Sequence, residues 1–80
     1  MTVQLNLYST THCHLCDQAT DLLDSLSEQY DIRWMNIEIT EDSALLECYG
    51  SKIPVLKRQD NNAELEWPFT TQQIETLIST

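Results

Sequence analysis

Cys13 and Cys16 are the residues of this chain best suited to covalent chemistry. Only His14 and Leu15 separate them, so both thiols fall within one turn of any helix that starts there. Such a pair can cycle between dithiol and disulfide, or lend soft ligands to a metal. Its placement favours the first. It stands between an alternating apolar run (Val3, Leu5, Leu7) and an amphipathic run of helical period. A helix start carries roughly half a positive charge, which favours a thiolate on the first cysteine. Cys13 is then the nucleophile, and Cys16, one turn further in, the resolving thiol. His14 and His12 flank the nucleophile and are candidates for tuning its thiolate and the reduction potential.

A competing reading is a non-catalytic protein that binds a metal or an iron–sulfur cluster, or a redox-silent adaptor. Cys13 and Cys16 with His12 or His14 make two or three ligands, whereas a structural zinc site takes four. One chain therefore offers no complete set, and no metal site is expected. Cys48 stands alone and is expected to be a small buried apolar residue, the alternative being a regulatory or dimer-forming thiol.

The elements that must hold the pair can be read along the chain. Val3, Leu5 and Leu7 give a first strand with one apolar face. Ser9 to His12 is a polar turn, with Thr10 or Thr11 as the cap of the next helix. Leu15, Ala19, Leu22, Leu23 and Leu26 are the buried stripe of that helix. Ile32, Trp34, Ile37 and Ile39 mark a second strand, and a slip in alternation near Met35 points to a bulge. Thr40 is the expected cap of a short helix that Gly50 closes. Ile53 to Leu56 and Ala63 to Trp67, joined by Asp60-Asn61-Asn62, form an antiparallel hairpin. Thr70 and Gln73 have capping-box spacing ahead of a last helix that buries Ile74, Leu77 and Ile78. The order is β-α-β-α-β-β-α.

The totals set bounds. Eighty residues make one domain, 1–80, and 41% apolar residues are enough for a small core. Thirteen acidic against four basic residues leave a net charge of −9. That argues against nucleic acid and against an anionic membrane surface, and it makes anionic substrates harder to attract. The first residues have neither a basic start nor a long apolar stretch, and nothing approaches the ~20 apolar residues of a membrane span. A cytoplasmic monomer is expected. In that compartment three cysteines serve redox or metal chemistry more readily than a permanent framework.

The element order, the Cys-x-x-Cys after the first strand and the Ile53-Pro54 pair opening the third resemble the thioredoxin fold, and the size and the Leu7-Tyr8-Ser9 entry look most like its glutaredoxin-like branch. The resemblance implies an α/β fold with a four-stranded mixed sheet flanked by three helices. It implies a dithiol oxidoreductase acting in electron transport on protein or small-thiol disulfides, reset by a cellular thiol reductant. It also implies a cis bond before Pro54, with Ile53 offering its backbone to substrate. Tyr8, Trp67 and Phe69 are further candidates for substrate contact, the last two as an apolar rim, and Lys52 for an incoming carboxylate. Trp34 is expected to fill core volume.

Two departures stand out. Glutathione-using relatives carry a Gly-Gly turn after the hairpin, where this chain has Trp67-Pro68-Phe69-Thr70. Side chains thus occupy a place that needs close backbone approach. No tightly bound cofactor is expected, and a typical glutathione site is not expected either. His14-Leu15 also replaces the proline and aromatic residue common inside the family's motif.

Overall fold

The computed structural model describes residues 2–79. Its elements are β1 (Val3–Ser9), α1 (His14–Ser27), β2 (Ile32–Glu38), a 3-10 turn (Ile39–Glu41), α2 (Ser43–Tyr49), β3 (Val55–Arg58), β4 (Glu64–Glu66) and α3 (Thr71–Ser79). The four strands form one sheet in the order β2-β1-β3-β4. β1 runs parallel to β2 and antiparallel to β3, which pairs antiparallel with β4. This is the mixed sheet and helix order that the resemblance implies.

Period-two alternation sends neighbouring residues of a strand to opposite faces, and here both faces are covered. Leu5, Leu7 and Leu56 join Ala19, Leu23 and Leu26 of α1 and Ile74 and Leu77 of α3 in the larger core. Tyr8 and Val55 point the other way, into a smaller core with Ile39 and with Tyr49 of α2. β1 is therefore apolar on both sides at its end, not on one face as its first residues indicate.

The same two-sidedness removes the expected bulge in β2. Val3↔Ile32 through Ser9↔Glu38 pair without interruption. Ile32 and Trp34 pack on the larger core, Trp34 filling volume as expected, whereas Ile37 packs on the smaller one. The slip in alternation is thus a change of buried face within a regular strand. Ile39 lies beyond the strand, in the 3-10 turn.

Three helix details differ from expectation. Cys13, not Thr10 or Thr11, caps α1. Asp42, not Thr40, caps α2, its carboxylate accepting from the amides of Ala44 and Leu45. The buried stripe of α1 runs Cys16, Ala19, Leu23, Leu26, at steps of three and four. Leu15 falls one position off that line and is 43% exposed. Gly50 does stop α2, but with right-handed backbone (φ −53°, ψ −33°). A Cβ there would come within 2.5 Å of the Leu46 carbonyl oxygen, so space rather than a left-handed turn requires glycine.

The capping box of α3 forms as read. The Thr70 amide donates to Gln73 Oε1 at 2.9 Å, and the Gln73 amide donates to Thr70 Oγ1 at 3.2 Å. No helix among the described residues is long and apolar enough to cross a membrane.

Candidate redox site

The site lies where β1 ends and α1 begins. Cys13 has extended backbone (φ −94°, ψ 103°) and acts as the N-cap: its Sγ accepts a hydrogen bond from the Cys16 amide at 3.1 Å. Sulfur is a weak neutral acceptor, but a thiolate in this place gains a charge-assisted bond and the favourable end of the helix dipole. Cys13 and Cys16 form a disulfide with a Cα–Cα separation of 5.2 Å. Within it the sulfurs differ in access. Cys16 belongs to the buried stripe of α1 and is 5% exposed, whereas Cys13 is half-buried.

The loop Thr10–His12 delivers Cys13 to the cap. His12 takes a left-handed conformation, φ 60°, uncommon for a residue other than glycine. His12 and His14 are both exposed. Glu38, at the end of β2 and paired in register with Ser9, holds this loop. Its Oε1 accepts from the Thr11 amide at 2.9 Å, and its Oε2 accepts from the amide (3.2 Å) and hydroxyl (2.8 Å) of Thr40. The Thr10 hydroxyl, then the Thr40 hydroxyl, then the amides of Thr40 and Thr11 hold the Glu38 carboxyl below the usual carboxylate range. Sequence reading did not single out Glu38. The available signal was an acidic residue at the carboxyl end of a parallel strand beside the Cys-x-x-Cys, the end where sites of open α/β sheets collect.

Cys16 also opens on a second surface. A polar cleft of about 250 Å³ is lined by Ser9, Thr10, Thr11, Cys16, Asp17, Thr20, Asn36 and Glu38. Among the described residues, no three His, Cys, Asp or Glu side chains converge as a metal ion would require.

The Ile53–Pro54 bond is cis, as the resemblance implies, and so is Trp67–Pro68. Pro54 is buried, and its carbonyl accepts from the Trp67 amide at 3.2 Å, which sets Trp67 beside it. Ile53 is half-buried, and its amide donates to the Tyr49 carbonyl at 3.2 Å.

The structure places Phe69 and Tyr8 away from the surface. Phe69 is 4% exposed in the larger core, with Trp67 packed edge-on at 5.0 Å, so the expected apolar rim reduces to Trp67. Phe69 turns inward because it begins the segment that seats α3 on the sheet. Tyr8 is 7% exposed and stacks on Tyr49 at 4.5 Å, in the smaller core under α2. Strand alternation sends it there, to the face opposite Leu7. Lys52 forms an exposed ion pair with Glu66 at 3.6 Å. Cys48 is exposed, not buried, because Leu45 and Tyr49 take the inward positions of α2.

Among proteins of curated function, none matches this sequence significantly. Solved structures do. The protein XcR50 from X. campestris is 33% identical and superposes with a TM-score of 0.81, covering 94% of this chain and 95% of that one. The protein Ne2328 from Nitrosomonas europaea is 24% identical, with a TM-score of 0.84 over 94% of this chain and 89% of that one. A thioredoxin variant from Halobacterium salinarum is 23% identical, with a TM-score of 0.73 over 96% and 72% of the two chains. The last two likenesses establish a shared fold. Residues 4–79 match the family described as Glutaredoxin-like domain (DUF836). With a thioredoxin-like fold and a Cys13–Cys16 pair at bonding distance where its first helix starts, the chain belongs to the glutaredoxin-like family.

Proposed function

We propose that this protein is a dithiol oxidoreductase that reduces disulfides of protein or small-thiol substrates through the Cys13/Cys16 couple. The asymmetry of the pair carries the reading: a half-buried Cys13 whose sulfur caps α1, joined to a buried Cys16. In the reduced protein the Cys13 thiolate attacks a substrate disulfide. A mixed disulfide forms and one substrate thiolate leaves. Cys16 then gives up its proton and attacks Cys13 Sγ, releasing the second substrate thiolate and closing the Cys13–Cys16 bond. Two electrons have passed to the substrate, and an external thiol reductant returns them. No bound cofactor is needed. His14 and His12, exposed beside Cys13, are the tuning groups in this reading.

Substrate contacts fall to apolar groups that stay accessible: Leu15 inside the motif, and Ile53 and Trp67 about Pro54, at the start of the strand that pairs with the end of β1. Because the Ile53 amide is engaged by Tyr49, backbone pairing with a substrate uses the Ile53 carbonyl. Glutathione is disfavoured as a specific ligand. The Thr70–Gln73 capping box already occupies amides at the start of α3, and Trp67 and Pro68 stand where relatives use glycines. The protein's net charge of −9 opposes an anionic tripeptide further.

Trapping tests the reading. Cys16→Ser should accumulate a mixed disulfide through Cys13 with a model disulfide substrate, and Cys13→Ser should accumulate none. Failure of Cys16→Ser to form any adduct would refute the proposal.

A further inference from the structure

Glu38 does more than end a strand. Its carboxylate collects donors from two segments: the Thr11 amide from the loop before Cys13, and the amide and hydroxyl of Thr40 from the 3-10 turn. The loop it grips turns through His12 at φ 60°. A non-glycine residue keeps such backbone only where its surroundings over-determine it. One residue later the chain must place Cys13 Sγ within reach of the Cys16 amide. We propose that Glu38 is a positioning residue for the Cys13 thiolate: by holding the Thr11 amide it fixes the turn through His12 that sets Cys13 Sγ on the first turn of α1. The proposal rests on the reading of Cys13 as nucleophile.

Glu38 touches neither the reacting sulfurs nor a substrate in this role. Its two possible influences on Cys13 have opposite signs, which makes them separable. As a nearby negative charge, Glu38 disfavours a thiolate, so neutralising it should lower the thiol pKa. As a clamp, it holds the sulfur where amide and helix dipole stabilise the thiolate, so loosening it should raise the thiol pKa. Asp17 provides the control for charge alone. It lines the same cleft, in the first turn of α1, and its side chain makes no hydrogen bond or ion pair among the described residues. Of the other titratable groups, the loop carries His12 and α1 carries His14, Asp21 and Asp24, while Tyr8 lies on β1, Arg33 on β2 and Glu41 in the 3-10 turn.

The test is the pH profile of Cys13 alkylation in the reduced protein, read by peptide mass so that Cys16 and Cys48 are scored separately. Wild type, Glu38→Gln, Thr40→Val and Asp17→Asn are compared, each with its thermal midpoint. The clamp predicts that Glu38→Gln moves the Cys13 profile to higher pH by roughly half a unit or more, about threefold in thiolate population below the pKa. Thr40→Val, which removes a hydroxyl donor from Glu38 and changes no charge, moves it the same way by less. Asp17→Asn leaves it in place or moves it to lower pH. A Glu38→Gln shift to lower pH, matching Asp17→Asn, would overturn the proposal in favour of a simple charge effect. A lowered thermal midpoint with an unmoved profile would overturn it in favour of a structural role. If Glu38→Gln does not fold, an unmoved profile in Thr40→Val overturns it. A wild-type Cys13 that titrates as an ordinary thiol, near 8.5, would instead count against the nucleophile reading itself.

Discussion

The Cys16 amide donates to Cys13 Sγ at 3.1 Å, so the atom that caps α1 belongs to the more accessible of the two cysteines. One short contact thus joins the folding of the helix to the reactivity of the site. A cap oxygen from Ser, Thr or Asp would stabilise the helix as well or better, but it could not exchange with a disulfide. Cys16, one turn on, supplies the amide through its backbone and the second sulfur through its side chain.

This dual role separates two substitutions at one position. Cys13→Ser keeps an acceptor at the cap and should match the reduced wild type in stability to within about 0.5 kcal/mol. Cys13→Ala removes the acceptor and should cost about 1 kcal/mol relative to the serine variant. Denaturant unfolding under reducing conditions checks both, and equal stability of the two variants would show that the cap contributes nothing.

The buried line of α1 passes through Cys16, Ala19, Leu23 and Leu26 and misses Leu15. Leu23 is fully buried in the larger core, so Leu23→Ala should cost about 2–5 kcal/mol. Leu15→Ala should fall within about 0.5 kcal/mol of wild type. Under the proposed function it should also slow reduction of a protein disulfide more than that of a small one, since Leu15 offers apolar contact beside Cys13. A large stability loss in Leu15→Ala would return Leu15 to the core.

On the other face, Tyr49 stacks on Tyr8 and donates its hydroxyl to Glu64 of β4. That bond, then burial, pushes the Tyr49 hydroxyl above the usual tyrosine range. A folded-state pKa raised above the unfolded one contributes stability that is complete below about pH 10 and fades as pH rises towards the folded value. Tyr49→Phe should therefore cost roughly 1–2 kcal/mol at neutral pH, and the gap to wild type should narrow above pH ~10. A gap that stays constant up to pH ~11 would argue against the Tyr49–Glu64 bond.

If the capping box, which engages the amides of Thr70 and Gln73, leaves no glutathione site at the start of α3, glutathione meets the disulfide only by collision. The rate at which glutathione reduces oxidised protein should then rise linearly with its concentration, without saturation, and should increase with added salt. Saturation at low glutathione concentration would reveal a binding site that this surface does not account for.

Much of this architecture was legible in the chain. Alternation in Val3–Leu7, the helical stripe beginning near the motif, the Asp60–Asn62 turn and the Thr70–Gln73 box each act within a few residues, where local physics decides. What misled was the second covered face of the sheet. A strand buried on both sides has no single apolar face, so Tyr8 turned inward and Ile37 imitated a bulge. Competition between neighbouring caps was equally hard to rank: Asp42 displaced Thr40, whose hydroxyl serves Glu38, and Cys13 displaced Thr11, whose amide does the same. Glu38 itself stayed hidden because its partners lie 27 and 2 residues away, on two different loops. Exposure of Cys48 and burial of Phe69 depend on how short elements seat against the sheet, which no local pattern fixes.

Whether Cys13 and Cys16 form a reversible dithiol couple is decided by a redox titration. The protein would be equilibrated in graded mixtures of reduced and oxidised glutathione, quenched with acid, alkylated, and read by intact and peptide mass. The account predicts a single two-electron transition assigned to Cys13–Cys16, with Cys48 remaining a free thiol and no lasting glutathione adduct. Its midpoint would rank the couple against its targets, about 30 mV corresponding to 1.4 kcal/mol. A pair that stays reduced across the whole series, or a transition that runs through Cys48 instead, would contradict it.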